Sequence, residues 1–243
     1  MIDFNSKSLL SDRINHYIDT AQEIEDSLQP GREYLGGSRL GVECERALQY
    51  EFLKVPVDPG KHFPGRVLRI FSRGHWVEAA MVGWLRNAGF GLITEKRDGG
   101  QFGYKVDKEA GHCDGVFVSG PAEFGPWPRL WECKGIGEKY FKQLVENRLK
   151  KEYPVYYAQT QIYMRRFNLT ANPALFSAVC VNTMAIYWEP VPFDSQFADS
   201  LEAKAKRIFQ ACAAGELLPR MYHDSDFFKC RFCSWQATCW GEK

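Results

Sequence analysis

Asp114, Glu132 and Lys134 have residue types and a spacing suited to phosphoryl chemistry. On a strand, Glu132 and Lys134 project from one face while Cys133 projects from the other. Two residues of strand span about 6.6 Å, which lets a carboxylate and an ammonium reach one small ligand without closing on each other. If the strand carrying Asp114 pairs with it, a second acid lands beside Glu132. Two such carboxylates raise each other's pKa and cost stability. A hard divalent cation, Mg²⁺ or Mn²⁺, relieves that repulsion. The ion activates water and stabilises charge on a phosphoryl oxygen. Lys134 is then left to orient the attacking water or to neutralise the pentavalent phosphate. An isolated E-x-K is also what a solvated strand end carries, so the rest of the chain decides.

Further candidates lie on helices. His75 and Glu78 are three apart, hence on one face, and either could be a further metal ligand. Gln159 and Tyr163 are one turn apart on another helix. Near the C-terminus, Cys230, Cys233 and Cys239 form C-x2-C-x5-C. Thiols this close in a reducing compartment point to a metal rather than to disulfides. Cys44, between Glu43 and Glu45 and two residues before Arg46, is the best-placed fourth ligand. Thiolates suit zinc and iron alike. The one-plus-three split and the shell of Phe232, Trp235 and Trp240 favour a four-iron cluster, with Zn²⁺ the alternative. Cys113, Cys133, Cys180 and Cys212 sit in apolar contexts and are expected in the core.

The elements that must position these residues follow from periodicity and punctuation. Helices are expected over Ser8–Leu28, near Ser38–Tyr50, from Ser72 to Gly89, over Glu138–Glu152, Val155–Phe167 and Asp194–Ala214, with a loop between Pro56 and Pro64. Strands are expected at His112–Ser119 and Arg129–Lys134. Hairpins are expected at Gly91–Lys96 with Gln101–Asp107 about Asp98-Gly-Gly100, and at Leu175–Val181 with Ala185–Val191. The cysteine tail is expected to be loop-like. The helix over Glu138–Glu152 carries Lys139, Lys142, Arg148, Lys150 and Lys151 with Tyr140 and Phe141, a pattern that could line a phosphate backbone or be a solvated face. The chain has 243 residues, 45% hydrophobic and 25% charged, with net charge +1 and 8 cysteines. That describes one soluble globular domain with no global attraction to nucleic acid. The absence of a long apolar run or a secretory signal leads us to expect a cytoplasmic protein away from membranes.

Taken together and in order, these pieces resemble the PD-(D/E)xK nuclease superfamily. They resemble most its RecB-like iron–sulfur branch, which includes AddB-type nuclease domains and CRISPR-associated RecB-like exonucleases. The likeness runs from Cys44 to Cys239. It implies an α/β, restriction-endonuclease-like core: a central mixed β-sheet flanked by helices, with an iron–sulfur clasp joining N- and C-terminal segments. The whole chain, 1–243, would be one nuclease domain, with 1–71 an N-terminal helical segment, 72–191 the core and 192–243 the C-terminal helix and cysteines. The resemblance implies that Asp114, Glu132 and the Cys133 carbonyl bind metal beside Lys134. It gives Gln159 and Tyr163 as the Q-x-x-x-Y motif, and Cys44, Cys230, Cys233 and Cys239 as ligands of a 4Fe-4S cluster. One departure is informative: Gly74 plus four is Glu78, not His, as in the phage lambda exonuclease-like branch. Glu78 is therefore the preferred first-motif ligand, ahead of His75, and a phage or mobile-element origin is implied. The implied activity is a Mg²⁺- or Mn²⁺-dependent DNA exonuclease acting on single strands or free ends, alone or with protein partners or further copies. The alternatives are a structure-specific endonuclease and a non-catalytic nucleic-acid-binding or assembly protein.

Overall fold

The structure is a computed structural model that describes residues 9–97 and 99–241. Helix α1 spans Leu9–Ser27, and its expected first residue, Ser8, lies outside the described residues. Strand β1 (Leu35–Gly36) and a short 3-10 turn (Gly37–Arg39) precede α2 (Glu45–Phe52). The helix expected from Ser38 thus starts seven residues later, with Cys44 at its N-cap position. Helix α3 (Gly65–Asn87) begins at Pro64-Gly65 rather than at Ser72. Pro64, as N-cap, sets the extended backbone from which the first turn starts.

Four short strands follow: β2 (Gly91–Ile93), β3 (Gly103–Val106), β4 (Glu109–His112) and β5 (Gly115–Ser119). Here the expected hairpin dissolves. β2 pairs with β5 and β3 pairs with β4, in different sheets. The two expected arms share one bridge, Glu95 with Gln101, and Asp98 of the turn lies outside the described residues. The strand expected over His112–Ser119 is likewise split between two sheets, and the chain breaks at Cys113-Asp114. Asp114 sits in that break, between the two ladders.

Strand β6 (Arg129–Ile136) is the centre of a five-stranded sheet. Its order is β2-β5-β6-β7-β8, completed by β7 (Ala174–Cys180) and β8 (Ile186–Val191). β5 and β6 are antiparallel while β6 and β7 are parallel. A parallel neighbour requires a crossover, and α4 (Glu138–Asn147), α5 (Leu149–Glu152) and α6 (Pro154–Arg166) supply it. The single helix expected over Glu138–Glu152 is broken at Arg148, whose φ of 69° leaves the helical region. The second sheet, β1-β4-β3, is small. Arg166 at the end of α6 pairs with Glu109 of β4 at 2.9 Å and also with Glu202 of α7 (Ser195–Ala214), tying the small sheet to both helices through one partly buried network.

Helix α6 shows little amphipathicity because it is buried all round, from Tyr157 to Met164. Its polar residues are consequently paired. Gln161 donates to the Pro192 carbonyl at 2.9 Å and accepts from the Asp194 N–H at 2.8 Å. Helix α1 packs on α3 through polar groups: Asp19 pairs with Arg69, and Glu23 accepts from the Gly65 N–H at 2.8 Å. Its apolar residues point outward, with Leu10 71% and Tyr17 72% exposed. Among the described residues no helix is long and apolar enough to cross a membrane.

The cysteine tail is not a loop. It forms α8 (Phe228–Arg231) and α9 (Gln236–Gly241). Buried Asp58, in the loop after α2, accepts from the Ala237 N–H at 2.5 Å, the Thr238 N–H at 3.1 Å and the Thr238 hydroxyl at 2.7 Å. Trp235 donates to the Val55 carbonyl at 2.9 Å. One buried carboxylate therefore holds the start of the last helix. Asp58→Ala is expected to cost about 1–3 kcal/mol by orphaning those donors. Urea unfolding measures the loss, and limited proteolysis should show earlier cleavage in the C-terminal segment.

Candidate active site

Asp114 and Glu132 meet as the strand pairing requires. Gly115 is opposite Trp131, so the residues just beyond them are Asp114 and Glu132. The Cys133 N–H donates to Asp114 Oδ2 at 2.7 Å, which anchors the acid at the strand break. Lys134 does not stand apart from Glu132 as the strand spacing suggests. Its Nζ closes on Glu132 Oε2 at 3.2 Å and on Asp114 Oδ2 at 3.6 Å. The cause is burial: Glu132 is 1% exposed, and a buried carboxylate takes the nearest cation.

Gln159 of α6 donates from Nε2 to the same Glu132 oxygen at 2.8 Å. Glu132 Oε2 thus has two donors. Its other oxygen, Oε1, is buried without a hydrogen-bond partner among the described residues. An orphaned carboxylate oxygen beside a second acid is what a cation would satisfy. Glu78 joins from α3. Burial and the Asp114 charge push its carboxyl up to about 7. Burial, and then Asp114, lift Glu132 above the ordinary carboxylate range, while Asp114 and Glu132 hold Lys134 firmly protonated. Three acids thus face one ammonium.

The other sequence candidates fall out as follows. His75 is on the Glu78 face, with Nδ1 4.0 Å from Glu78 Oε2, but its side chain is 86% exposed. Cys133 itself is buried on the opposite face of β6, against Val77 and Met81 of α3. Tyr163 makes no hydrogen bond to the acids among the described residues, although burial, helped by Glu132 and Asp114, pushes its hydroxyl up. It packs on Tyr104 at 5.7 Å and lines a polar 190 Å³ cavity with Gln159, Arg32, Ser38 and His112. Those last three residues carry no spacing signal, because distant segments bring them together. Tyr156 was also missed; the Lys134 ammonium lies 5.4 Å from its ring centre. The expected basic face of α4 and α5 is largely paired internally: Lys142 with Glu138 at 2.7 Å, Lys150 with Asp194 at 3.3 Å and Arg148 with Glu189 at 3.5 Å.

Beyond the first turn of α6, Cys44, Cys230, Cys233 and Cys239 line one cavity of 420 Å³ with Pro154 and Val155. Burial, followed by the neighbouring sulfurs of Cys44 and Cys239, raises the thiols of Cys230 and Cys233, although hydrogen bonds from Trp240 and Trp235 act in the opposite sense. Among the described residues, no three His, Cys, Asp or Glu side chains stand in metal-holding geometry, here or at the acids. Cys113, Cys133 and Cys180 are buried as expected, and Cys212 is half-buried.

The acids impose a pH dependence. A carboxyl raised in the folded state stabilises the fold while protonated, so that contribution is complete below the ordinary value of 4.5 and is lost as pH rises to about 7. Metal-free protein is expected to lose thermal stability between about pH 5 and about pH 8, and Mn²⁺ should restore more of it at the higher pH. Circular-dichroism melts with and without Mn²⁺ check this, and Glu78→Gln should flatten part of the fall.

No family model and no curated protein matches the chain. Among solved structures, an alkaline exonuclease, LHK-Exo from Laribacter hongkongensis, is 14% identical, covering 82% of this chain and 93% of its own, with TM-score 0.49. SSO0001 is 14% identical over 93% of this chain and 96% of its own, with TM-score 0.48. LHK-Exo in complex with dAMP is 12% identical over 83% and 93%, with TM-score 0.51. In fold, this mixed α/β chain is similar to LHK-Exo.

Proposed function

We propose that the chain is a Mg²⁺- or Mn²⁺-dependent deoxyribonuclease, an exonuclease of the PD-(D/E)xK kind that hydrolyses phosphodiester bonds at DNA ends. The observation that carries this reading is the orphaned Glu132 Oε1 set among Asp114, Glu78 and Lys134. The fold it shares with LHK-Exo supports it. Asp114, Glu132, the Cys133 carbonyl and Glu78 would hold the ion, with exposed His75 the second choice. When bound, the ion supplies Lewis-acid charge to a phosphoryl oxygen and to water.

The chain's own residues do the rest. Lys134, kept protonated by two carboxylates, donates hydrogen bonds and positive charge to the attacking water or the phosphate; it is not a base. Gln159 fixes the Glu132 carboxylate through Oε2, which leaves Oε1 turned to its task. Tyr163 shapes the adjoining cavity with Arg32 and Ser38, a polar recess of a size for part of the DNA strand.

For the cysteine cavity we propose a 4Fe-4S cluster, in the manner of the RecB-like branch, with Zn²⁺ the alternative. Its donor chemistry suits either group: four thiols line one cavity, not drawn into coordinating geometry as they stand, with the Arg46 guanidinium 4.0 Å from the Cys239 sulfur to balance thiolate charge. Its part is structural, binding the segment after Cys44 to the tail.

Digestion of end-labelled single- and double-stranded DNA with Mn²⁺ tests the nuclease reading. Wild type should release nucleotides from ends and leave covalently closed circles intact. Lys134→Ala should lose at least about 100-fold in rate while still binding DNA. Cutting of closed circles would instead indicate an endonuclease, and no cleavage of any DNA would favour a binding protein. Anaerobically purified protein should contain iron and acid-labile sulfide, and Cys233→Ala should lower its melting temperature. A Cys233→Ala protein of unchanged stability would overturn the clasp.

A further inference from the structure

Tyr153 and Tyr156 form a stacked pair, with ring centres 5.2 Å apart and planes within 20°. Tyr156 adjoins the Lys134 ammonium, and Tyr140 of α4 is among the groups that influence the Tyr153 hydroxyl. Tyr140 is 55% exposed; Tyr153 and Tyr156 are half-buried, with one side against the main core. None of the three hydroxyls has a hydrogen-bond partner among the described residues. A core tyrosine normally finds one. These rings are instead held by their faces, with their polar tips left to solvent, at the edge of the candidate site.

Their position follows from the crossover. Arg148 breaks the helix, and Tyr153 then caps α6 outside the helical region, with φ of −130° and ψ of 68°. That sets Tyr153 and Tyr156 on successive turns beside Lys134. The same stretch keeps its cations at the surface but engaged, since Lys142, Arg148 and Lys150 have acidic partners and Lys151 donates to Asn147. Beside these partly neutralised cations, what the segment adds for a strand of DNA is aromatic surface.

We infer that Tyr153 and Tyr156, with Tyr140 beside them, form a stacking platform for one unpaired nucleobase next to the scissile phosphate. The inference rests on the nuclease reading for the phosphate and extends it to the base. Tyrosine faces stack on any base, so the platform favours unpaired over paired DNA without reading sequence. A strand whose terminal bases are unstacked from their complement fits; an intact duplex does not.

The test uses the full-length protein and short single strands with one abasic site placed at successive positions from the labelled end. With wild type, one abasic position should slow cleavage about 5- to 100-fold, seen mainly in KM. Tyr153→Leu and Tyr156→Leu, which keep apolar bulk against the core, should cut all these strands at that slower rate. The Phe variants should behave as wild type. Equal rates on intact and abasic strands by an active wild type would overturn the platform and leave the nuclease reading standing. The binding arm uses strands carrying 2-aminopurine, with Ca²⁺ in place of Mn²⁺. Base fluorescence should be quenched by wild type and the Phe variants and not by the Leu variants. Should the protein cut no DNA yet show that tyrosine-dependent quench, the platform stands and the nuclease reading falls. Quenching that ignores the tyrosines would overturn the platform.

Discussion

The Lys134 ammonium, lodged between Asp114 and Glu132, is the contact on which the site depends. A fully buried carboxylate beside another acid is unstable unless a cation and hydrogen bonds compensate it. Lys134 supplies the cation and Gln159 a hydrogen bond, both to one oxygen of Glu132. The compensation is incomplete. Burial and the Asp114 charge push the Glu78 carboxyl up to about 7, and Glu132 keeps one oxygen without a hydrogen-bond partner among the described residues. The balance of three acids against one ammonium leaves room for further positive charge. A structure that only needed a stable core would not keep such an arrangement.

Holding that balance requires β6 to be immobile. Trp131 is fully buried, and its indole N–H donates to the Ser177 hydroxyl at 2.9 Å. That hydroxyl donates in turn to the Glu132 carbonyl at 3.3 Å. Glu132 is thereby fixed from its backbone by β7 and from its side chain by α6. Asp114 is fixed from β6 by the N–H of Cys133, the residue after Glu132. Position in this site comes from strand pairing and short hydrogen bonds rather than from loops, so a chemistry that tolerates little misplacement has a rigid base.

Much of this was legible in the sequence, for definable reasons. Alternation along Arg129–Lys134 placed Glu132 and Lys134 on one face, and pairing with the preceding strand placed Asp114 beside them; both are local properties. Gln159 followed from a recognised motif. The errors share one cause: tertiary context overrode local pattern. Asp98-Gly-Gly100 signals a hairpin, yet β2 and β3 join different sheets because β5 and β4 are better partners. The strand rule kept Lys134 clear of Glu132, but a buried acid draws a flexible lysine to it. The spacing that gave α1 as a helix did not say which face docks, and the helix docks through Asp19 and Glu23. Arg32, Ser38, His112 and Tyr156 could not have been found by spacing, since only folding makes them neighbours.

The cysteine cavity and the acids are separate in sequence but joined through α6. Pro154 and Val155, in its first turn, line the cavity with the four cysteines. Tyr156 and Gln159, within the next turn, reach Lys134 and Glu132. The segment before Cys44 is pressed onto this helix: a Cβ on Gly41 would lie 2.6 Å from the Val155 Cα, closer than atoms can approach, so only glycine fits there. Whatever fixes Cys44 against the tail therefore also fixes the N-terminal end of the helix that orients the Glu132 carboxylate. A helix is stiff along its hydrogen-bonded axis, so a displacement of its first turn carries to the second. The clasp and the acids are in this sense one mechanical unit, and an element that looks merely structural bears on the geometry of the site.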